Sequence, residues 1–210
     1  MTMYHPRVKM CGMTRECDIR HAIECQTDAI GLILYPHSPR GLTLEQAVNI
    51  LPKLPAFITL TVVMVNPNAI DVWQVLEYLP AHVIQFHGEE DADFCAQFKV
   101  PYIKALPAIS RDFILKKSSE YYSAQALLLD TPSLDKKGGT GQTFDWSIIP
   151  PLAQPLVLAG GINEANVTGA IQRVKPYALD LSSSIEISPG IKDKTKMLKI
   201  MSKIKPTAVM

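Results

Sequence analysis

Arg7-Val8-Lys9-Met10-Cys11-Gly12-Met13-Thr14 is the stretch on which the reading of this chain turns. Residues 8–11 read as a short first strand, and Gly12 stops it. Successive strand side chains point to opposite faces, so Lys9 and Cys11 share one face and Val8 and Met10 the other. A lysine and a thiol on one face, the thiol at the strand's C-terminal end, suggest the wall of a site. The alternative for Cys11, taken alone, is a small buried hydrophobe.

Working outward, strand-like and helix-like segments alternate to the end of the chain. Strands are expected at residues 8–11, 29–34, 59–65, 82–87, 102–105, 126–130, 156–159 and 178–182. Most are apolar and rich in Val, Ile or Leu, as parallel strands covered on both faces are. Helical patterns fall at 17–25, 44–51, 69–79, 92–98, 111–122, 165–174 and 194–204, with Thr43 as an N-cap and only a short turn near 146–149. Eight βα units without a break in composition predict one α/β domain over residues 1–210, a (β/α)8 TIM barrel of the phosphate-binding type, with 205–210 as a loose tail. A doubly wound open sheet is the alternative.

Composition narrows the function. The 210 residues are 47% hydrophobic and carry a formal net charge of +1, which suits a sizeable core and gives no basic block for nucleic acid or an acidic membrane. No signal peptide or spanning segment is read. Cys11, Cys17, Cys25 and Cys95 form neither a CxxC pair nor a zinc spacing, which fits free thiols in the cytoplasm and no metal site.

The polar residues inside the apolar strands repeat the pattern of the first. Gln85 and His87 share a face, as do Asp180 and Ser182; Lys104 interrupts its strand and Asp130 closes one. Polar groups are costly against helices unless paired, so all of them are expected to point into the barrel. Those at C-terminal strand ends then meet at the mouth, where barrel enzymes place their sites. A satisfied interior network is the plainer alternative for Lys9, Gln85 and Asp180, and a loop cap for Asp130.

Two turns point to an anion. The seventh strand ends in Gly160-Gly161 and the eighth in Ser182-Ser183-Ser184, each before a helical segment. Loops after these two strands often bind phosphate through backbone N–H groups. Gly138–Phe144 lacks the Gly-Lys-Ser/Thr ending of a P-loop and is read as part of a lid over residues 131–145. Arg40, in a proline-stiffened loop, is placed to grip a carboxylate in bidentate fashion, or is an ordinary surface arginine.

Taken in order, these residues resemble the phosphoribosylanthranilate isomerases of tryptophan biosynthesis. The likeness runs through Lys9–Thr14, Tyr35–Arg40, Gln85–Gly88, Leu129-Asp130 with Gly138–Trp146, Ala159–Ile162 with Asn166-Val167, and Asp180–Glu186 with Pro189–Asp193. Ser184 stands where the family usually has glycine, and a positive φ there would strain it. The resemblance implies an Amadori rearrangement, with Cys11 as general base, Asp130 as general acid and Arg40 on the substrate carboxylate. It also implies a substrate site drawn from His87, Gly160, Gly161, Asp180, Ser182, Ser183 and Ser184. No metal or organic cofactor is implied. The partner is a small phosphorylated molecule, the chain a monomer or homodimer. A related sugar-phosphate isomerase, a non-catalytic phosphate-binding barrel and a thiol redox protein are the competing readings.

Overall fold

Strands apolar on both faces need cover on both, and a closed barrel ringed by helices supplies it. The computed structural model describes residues 5–132 and 143–205. In it, β1 (Arg7–Cys11), β2 (Ala29–Leu34), β3 (Thr59–Met64), β4 (Val83–Phe86), β5 (Tyr102–Pro107), β6 (Ala126–Asp130), β7 (Leu156–Leu158) and β8 (Ala178–Leu181) close a parallel barrel in chain order. The open sheet is thereby excluded. Around it lie α1 (Glu16–Glu24), α2 (Leu44–Ile50), α3 (Ala69–Tyr78), α4 (Ala92–Ala96), α5 (Arg111–Glu120), α6 (Val167–Val174) and α7 (Lys194–Ile204). Single 3₁₀ turns at Trp146–Ile148 and Ser183–Ile185 follow β6 and β8. An antiparallel hairpin, β9 (Glu186–Ser188) with β10 (Ile191–Lys192), precedes α7 and has no counterpart in the expected elements. Most of the expected lid lies outside the described residues, as does the tail beyond Lys205.

The helices start where side chains relieve their unpaired N–H groups. Thr43 with Gln46 and Asn68 with Asp71 form capping boxes on α2 and α3. Asp91, Ser110 and Asp193 cap α4, α5 and α7. Each such cap contributes about 1 kcal/mol.

Alternation along the strands splits the core in two. Val8, Met10, Ile30, Leu60, Phe86, Leu127 and Leu179 belong to the large cluster that packs on the helices. Ala105, Ala126, Leu128, Val157, Ala159 and Ala178 form a small cluster inside the barrel. Polar residues share the inner positions: Lys9 is in register with Asp180, Gln85 with Val63, and Asp130 with Pro107. Residues in register on neighbouring strands point the same way, so these face inward, as expected.

Lys104 corrects that expectation. It is in register with Phe86, which packs on the helices, while the inward place on β5 is taken by Ile103. Its ammonium lies against the loop between β4 and α4, 2.6 Å from Glu90 Oε2 and 2.7 Å from the Gly88 carbonyl. The Tyr121 ring lies 5.4 Å away. A buried ammonium persists only where it is paired and hydrogen-bonded, and Glu90 supplies the charge. Glu90 in turn accepts from the Asn66 and Gly88 backbone N–H groups.

Candidate active site

β1 delivers Cys11 to the C-terminal mouth, and two glycines make room for it. Gly12 turns the chain at φ 77°, a conformation that disfavours any side chain, and a Cβ there would lie 2.6 Å from Arg40 Cδ. Gly31, in register with Cys11, lacks the Cβ that would lie 2.6 Å from the Cys11 Sγ. The thiol is 4% exposed. Burial pushes it above the ordinary thiol value, the Lys9 and Lys192 ammonium groups pull against that, and Asp180 works with it.

Lys9 lies one layer below. Its ammonium donates to Gln85 Oε1 at 2.7 Å and to Asp180 Oδ2 at 3.2 Å. Asp180 Oδ1 is buried and has no partner among the described residues. Gln85 Nε2 meets His87 Nδ1 at 2.9 Å, and His87 Nε2 stands 3.7 Å from Asp130 Oδ2. The His87 and Asp130 side chains keep 35% and 36% of their surface open, so both are reachable from the mouth. Asp130 Oδ1 accepts the Thr131 N–H at 2.7 Å. Desolvation raises Asp130 above the usual carboxylate value, although His87 and the Thr131 N–H oppose it.

The two anion-ready turns lie across the same mouth. Gly160 and Gly161 take φ of 80° and 63°, and neither N–H donates to a backbone acceptor among the described residues. The Gly161 carbonyl is held by Asn163 and Asn166 side chains, which fix the turn. Ser183 and Ser184 belong to the 3₁₀ turn, and Ser184 is not among the residues at positive φ, so the strain considered from the sequence does not arise. Its Oγ is buried without a partner among the described residues. Ser182 is used inside the protein: its hydroxyl donates to the Cys11 carbonyl at 3.2 Å, tying β8 to β1.

Arg40 does make a bidentate grip, but on Glu186, at 2.8 and 2.7 Å. That grip uses Nε and one Nη2 hydrogen and leaves the Nη1–Nη2 edge of the guanidinium for another acceptor. Glu186 also accepts from Lys192 at 2.8 Å and from the Gly190 N–H at 3.1 Å. Burial alone would raise its carboxyl; Arg40 and Lys192 bring it below the usual value. Lys192 reaches the Ser182 carbonyl at 3.2 Å, so the hairpin braces the end of β8. Sequence reasoning passed over Gly31, Glu186 and Lys192 as site residues. A glycine inside an apolar strand signals close approach, and charges alternating with isoleucines in Ile185-Glu186-Ile187 and Ile191-Lys192 were the available signs. Among the described residues no three His, Cys, Asp or Glu side chains are grouped to hold a metal ion.

A closed parallel barrel with acid, thiol and anion-ready turns gathered at its C-terminal mouth defines a (β/α)8-barrel enzyme. The family model described as N-(5'-phosphoribosyl)anthranilate (PRA) isomerase matches residues 8–203. The isomerase of Legionella pneumophila (strain Paris) is 48% identical over 199 residues, 94% of this chain and 96% of that protein. The solved phosphoribosyl anthranilate isomerase of Thermotoga maritima superposes with a TM-score of 0.88 at 35% identity, covering 95% of this chain and 98% of that one. Another solved isomerase, in complex with reduced 1-(o-carboxyphenylamino)-1-deoxyribulose 5-phosphate, gives 0.81 at 31% identity over 95% and 98%. The chain belongs to the N-(5'-phosphoribosyl)anthranilate isomerase family, and it is an enzyme of that kind.

Proposed function

We propose that this chain converts N-(5-phosphoribosyl)anthranilate to 1-(2-carboxyphenylamino)-1-deoxyribulose 5-phosphate in L-tryptophan biosynthesis, with Asp130 as general acid and Cys11 as general base. The observation that carries the reading is the inward pairing of a desolvated carboxyl at the end of β6 with a thiol at the end of β1, beside two turns with N–H groups to spare. Asp130 gives its proton to the furanose oxygen; the ring opens to a protonated Schiff base. Cys11, as thiolate, takes the C2 proton and leaves an enolamine. The C2 hydroxyl then gives up a proton and C1 takes one, which forms the ketone and resets both groups.

The rest of the mouth fits the substrate. The N–H groups of Gly160, Gly161, Ser183 and Ser184 receive the phosphate, joined by the unpartnered Ser184 hydroxyl. Arg40 offers Nη1 to the anthranilate carboxylate, with Glu186 holding the guanidinium in place. The buried, unpartnered Asp180 Oδ1 suits a ribose hydroxyl, and His87 lies beside Asp130 near the ring oxygen. The related isomerase solved with reduced 1-(o-carboxyphenylamino)-1-deoxyribulose 5-phosphate, a reduced form of the proposed product, supports a ligand of this class. Phosphoribosylanthranilate formed in situ from anthranilate and phosphoribosyl pyrophosphate provides the assay. Cys11→Ser and Asp130→Asn should each lower kcat by about 10²–10⁴, the usual worth of a general acid or base. Near-normal turnover in either folded variant removes that residue from its role.

A further inference from the structure

Lys9, Gln85, His87 and Asp130 form one line of polar contacts from β1 through β4 to β6, and the chemistry of its first member sets the direction of all the others. An ammonium has three donors and no acceptor. The Gln85 atom 2.7 Å from Lys9 Nζ is therefore the amide oxygen. The other end of that amide, 2.9 Å from His87 Nδ1, then carries only hydrogens. Nδ1 has to accept, so the ring proton lies on Nε2, the nitrogen 3.7 Å from Asp130 Oδ2.

The anchor is a firm one. Burial works against the Lys9 charge, but Asp180 at 3.2 Å and the neighbouring Cys11 outweigh it and hold the ammonium above the usual lysine value. An imidazolium needs hydrogens on both ring nitrogens, and a proton on Nδ1 would point into the Gln85 NH₂ group. The ion-paired form of His87 and Asp130 is thus disfavoured at its far end, not at the pair itself. The one proton the pair has to place goes to the carboxyl.

We propose that Gln85, oriented by Lys9, is a positioning residue that holds His87 neutral with its proton on Nε2 and so leaves the proton of the His87–Asp130 pair on Asp130. The inference rests on the reading of Asp130 as general acid. Once Asp130 has donated, its carboxylate accepts from the Thr131 N–H and keeps the His87 Nε2–H 3.7 Å away as a nearby dipole. The charged groups around His87 are Asp130, Lys9, Asp180 and Lys104, and its own burial outweighs the attraction of Asp130, which places it below the usual histidine value.

Nitrogen-15 NMR of the histidine rings tests this without turnover. The His87 signals are assigned by their loss in His87→Asn. The wild-type ring should show the neutral Nε2–H pattern down to a pH below the ordinary histidine value of about 6.5. In Gln85→Glu the carboxylate accepts from Lys9 and from Nδ1–H alike. His87 should then be an imidazolium at neutral pH. Because Cys11 rests as the thiol, a more acidic Asp130 should move the acid limb of kcat down by about one pH unit or more and lower its neutral plateau about tenfold or more, as for a carboxyl gaining a cation. KM should change little, and acidification should not restore turnover, because it removes Cys11 thiolate as it reprotonates Asp130. A wild-type ring that is charged or protonated on Nδ1 at neutral pH overturns the proposal, as does Gln85→Glu with spectrum and pH limb unmoved. If Gln85→Glu fails to fold, the wild-type spectrum alone decides. A fully active Asp130→Asn would sink the general-acid reading through kinetics, so the two failures are distinguishable.

Discussion

Gly31→Ala tests whether the space around the Cys11 thiol is part of the site or incidental to it. Gly31 and Cys11 are in register on adjacent strands, and an added Cβ would lie 2.6 Å from Sγ and 3.1 Å from Lys9 Cε. Favourable carbon contacts are about 3.5–4.0 Å, so Sγ must retreat by roughly 1 Å. β1 cannot yield, because it is hydrogen-bonded to β2 on one side and β8 on the other. The thiol therefore rotates away from its place at the mouth. A 1 Å misplacement costs about 10²-fold in rate, whereas overpacking costs about 1–3 kcal/mol of stability, which a domain holding 5–15 kcal/mol survives. The expected result is a folded variant with kcat down about a hundredfold. Gly169→Ala is the control: no atom lies within 4 Å of its added Cβ, and it sits inside α6. It should leave kcat unchanged and raise stability by about 0.5–1 kcal/mol. A kcat for Gly31→Ala within about twofold of wild type, with a cooperative melt, would refute the reasoning from thiol placement.

Three further substitutions separate binding from stability. Ser184→Gly removes a buried hydroxyl that has no partner among the described residues, so the melt should not worsen, while inorganic phosphate should compete about tenfold more weakly, the worth of one hydrogen bond to a charged group. Equal phosphate inhibition of the two proteins would reject a role for that hydroxyl. Glu90→Ala strands the Lys104 ammonium, whose side chain is 2% exposed, and should cost about 3–5 kcal/mol in urea unfolding. The exposed Glu16–Arg20 pair, broken by Glu16→Ala, should cost no more than about 1 kcal/mol. Similar losses in the two variants would show that Lys104 is not buried as described.

The barrel was legible because each strand segment carries its own period, and the inward pairs Lys9/Cys11, Gln85/His87 and Asp180/Ser182 report that period twice over. Partners were less so. Arg40 was expected to grip a carboxylate in two-pronged fashion, and it does, but the carboxylate is Glu186, 146 residues away in sequence. The tuning of Cys11 was equally hidden. It depends on Lys9, two residues off, and on Lys192, which only the β9–β10 hairpin brings near. Both cations oppose the desolvation of the thiol, and neither annuls it. The resting group is the thiol, and its basic form is a minority that the two ammonium groups make accessible.

Lys104 shows where counting by twos stops being informative. Lys9 and Lys104 look alike, each a lysine inside an apolar strand, yet one faces the barrel and the other the helices. The difference lies two residues further on. Lys9 is followed at that spacing by Cys11, while Lys104 stands between Tyr102 and Leu106, both of which pack in the outer core. A single polar residue whose same-face neighbours are large and apolar belongs to the face those neighbours define. Asp130 meets the same test from the other side, since Leu128, two residues before it, lies inside the barrel. Parity therefore assigns a face only relative to neighbours whose own face is known. For an isolated charge the decisive term is the partner that makes burial tolerable, here Glu90 on the loop leading into α4. That loop's Gly88 N–H also donates to the Glu90 carboxylate, as does the Asn66 N–H after β3. An acidic turn after one strand and a lysine in the next strand are thus two halves of one device, visible in the sequence only when they are read together.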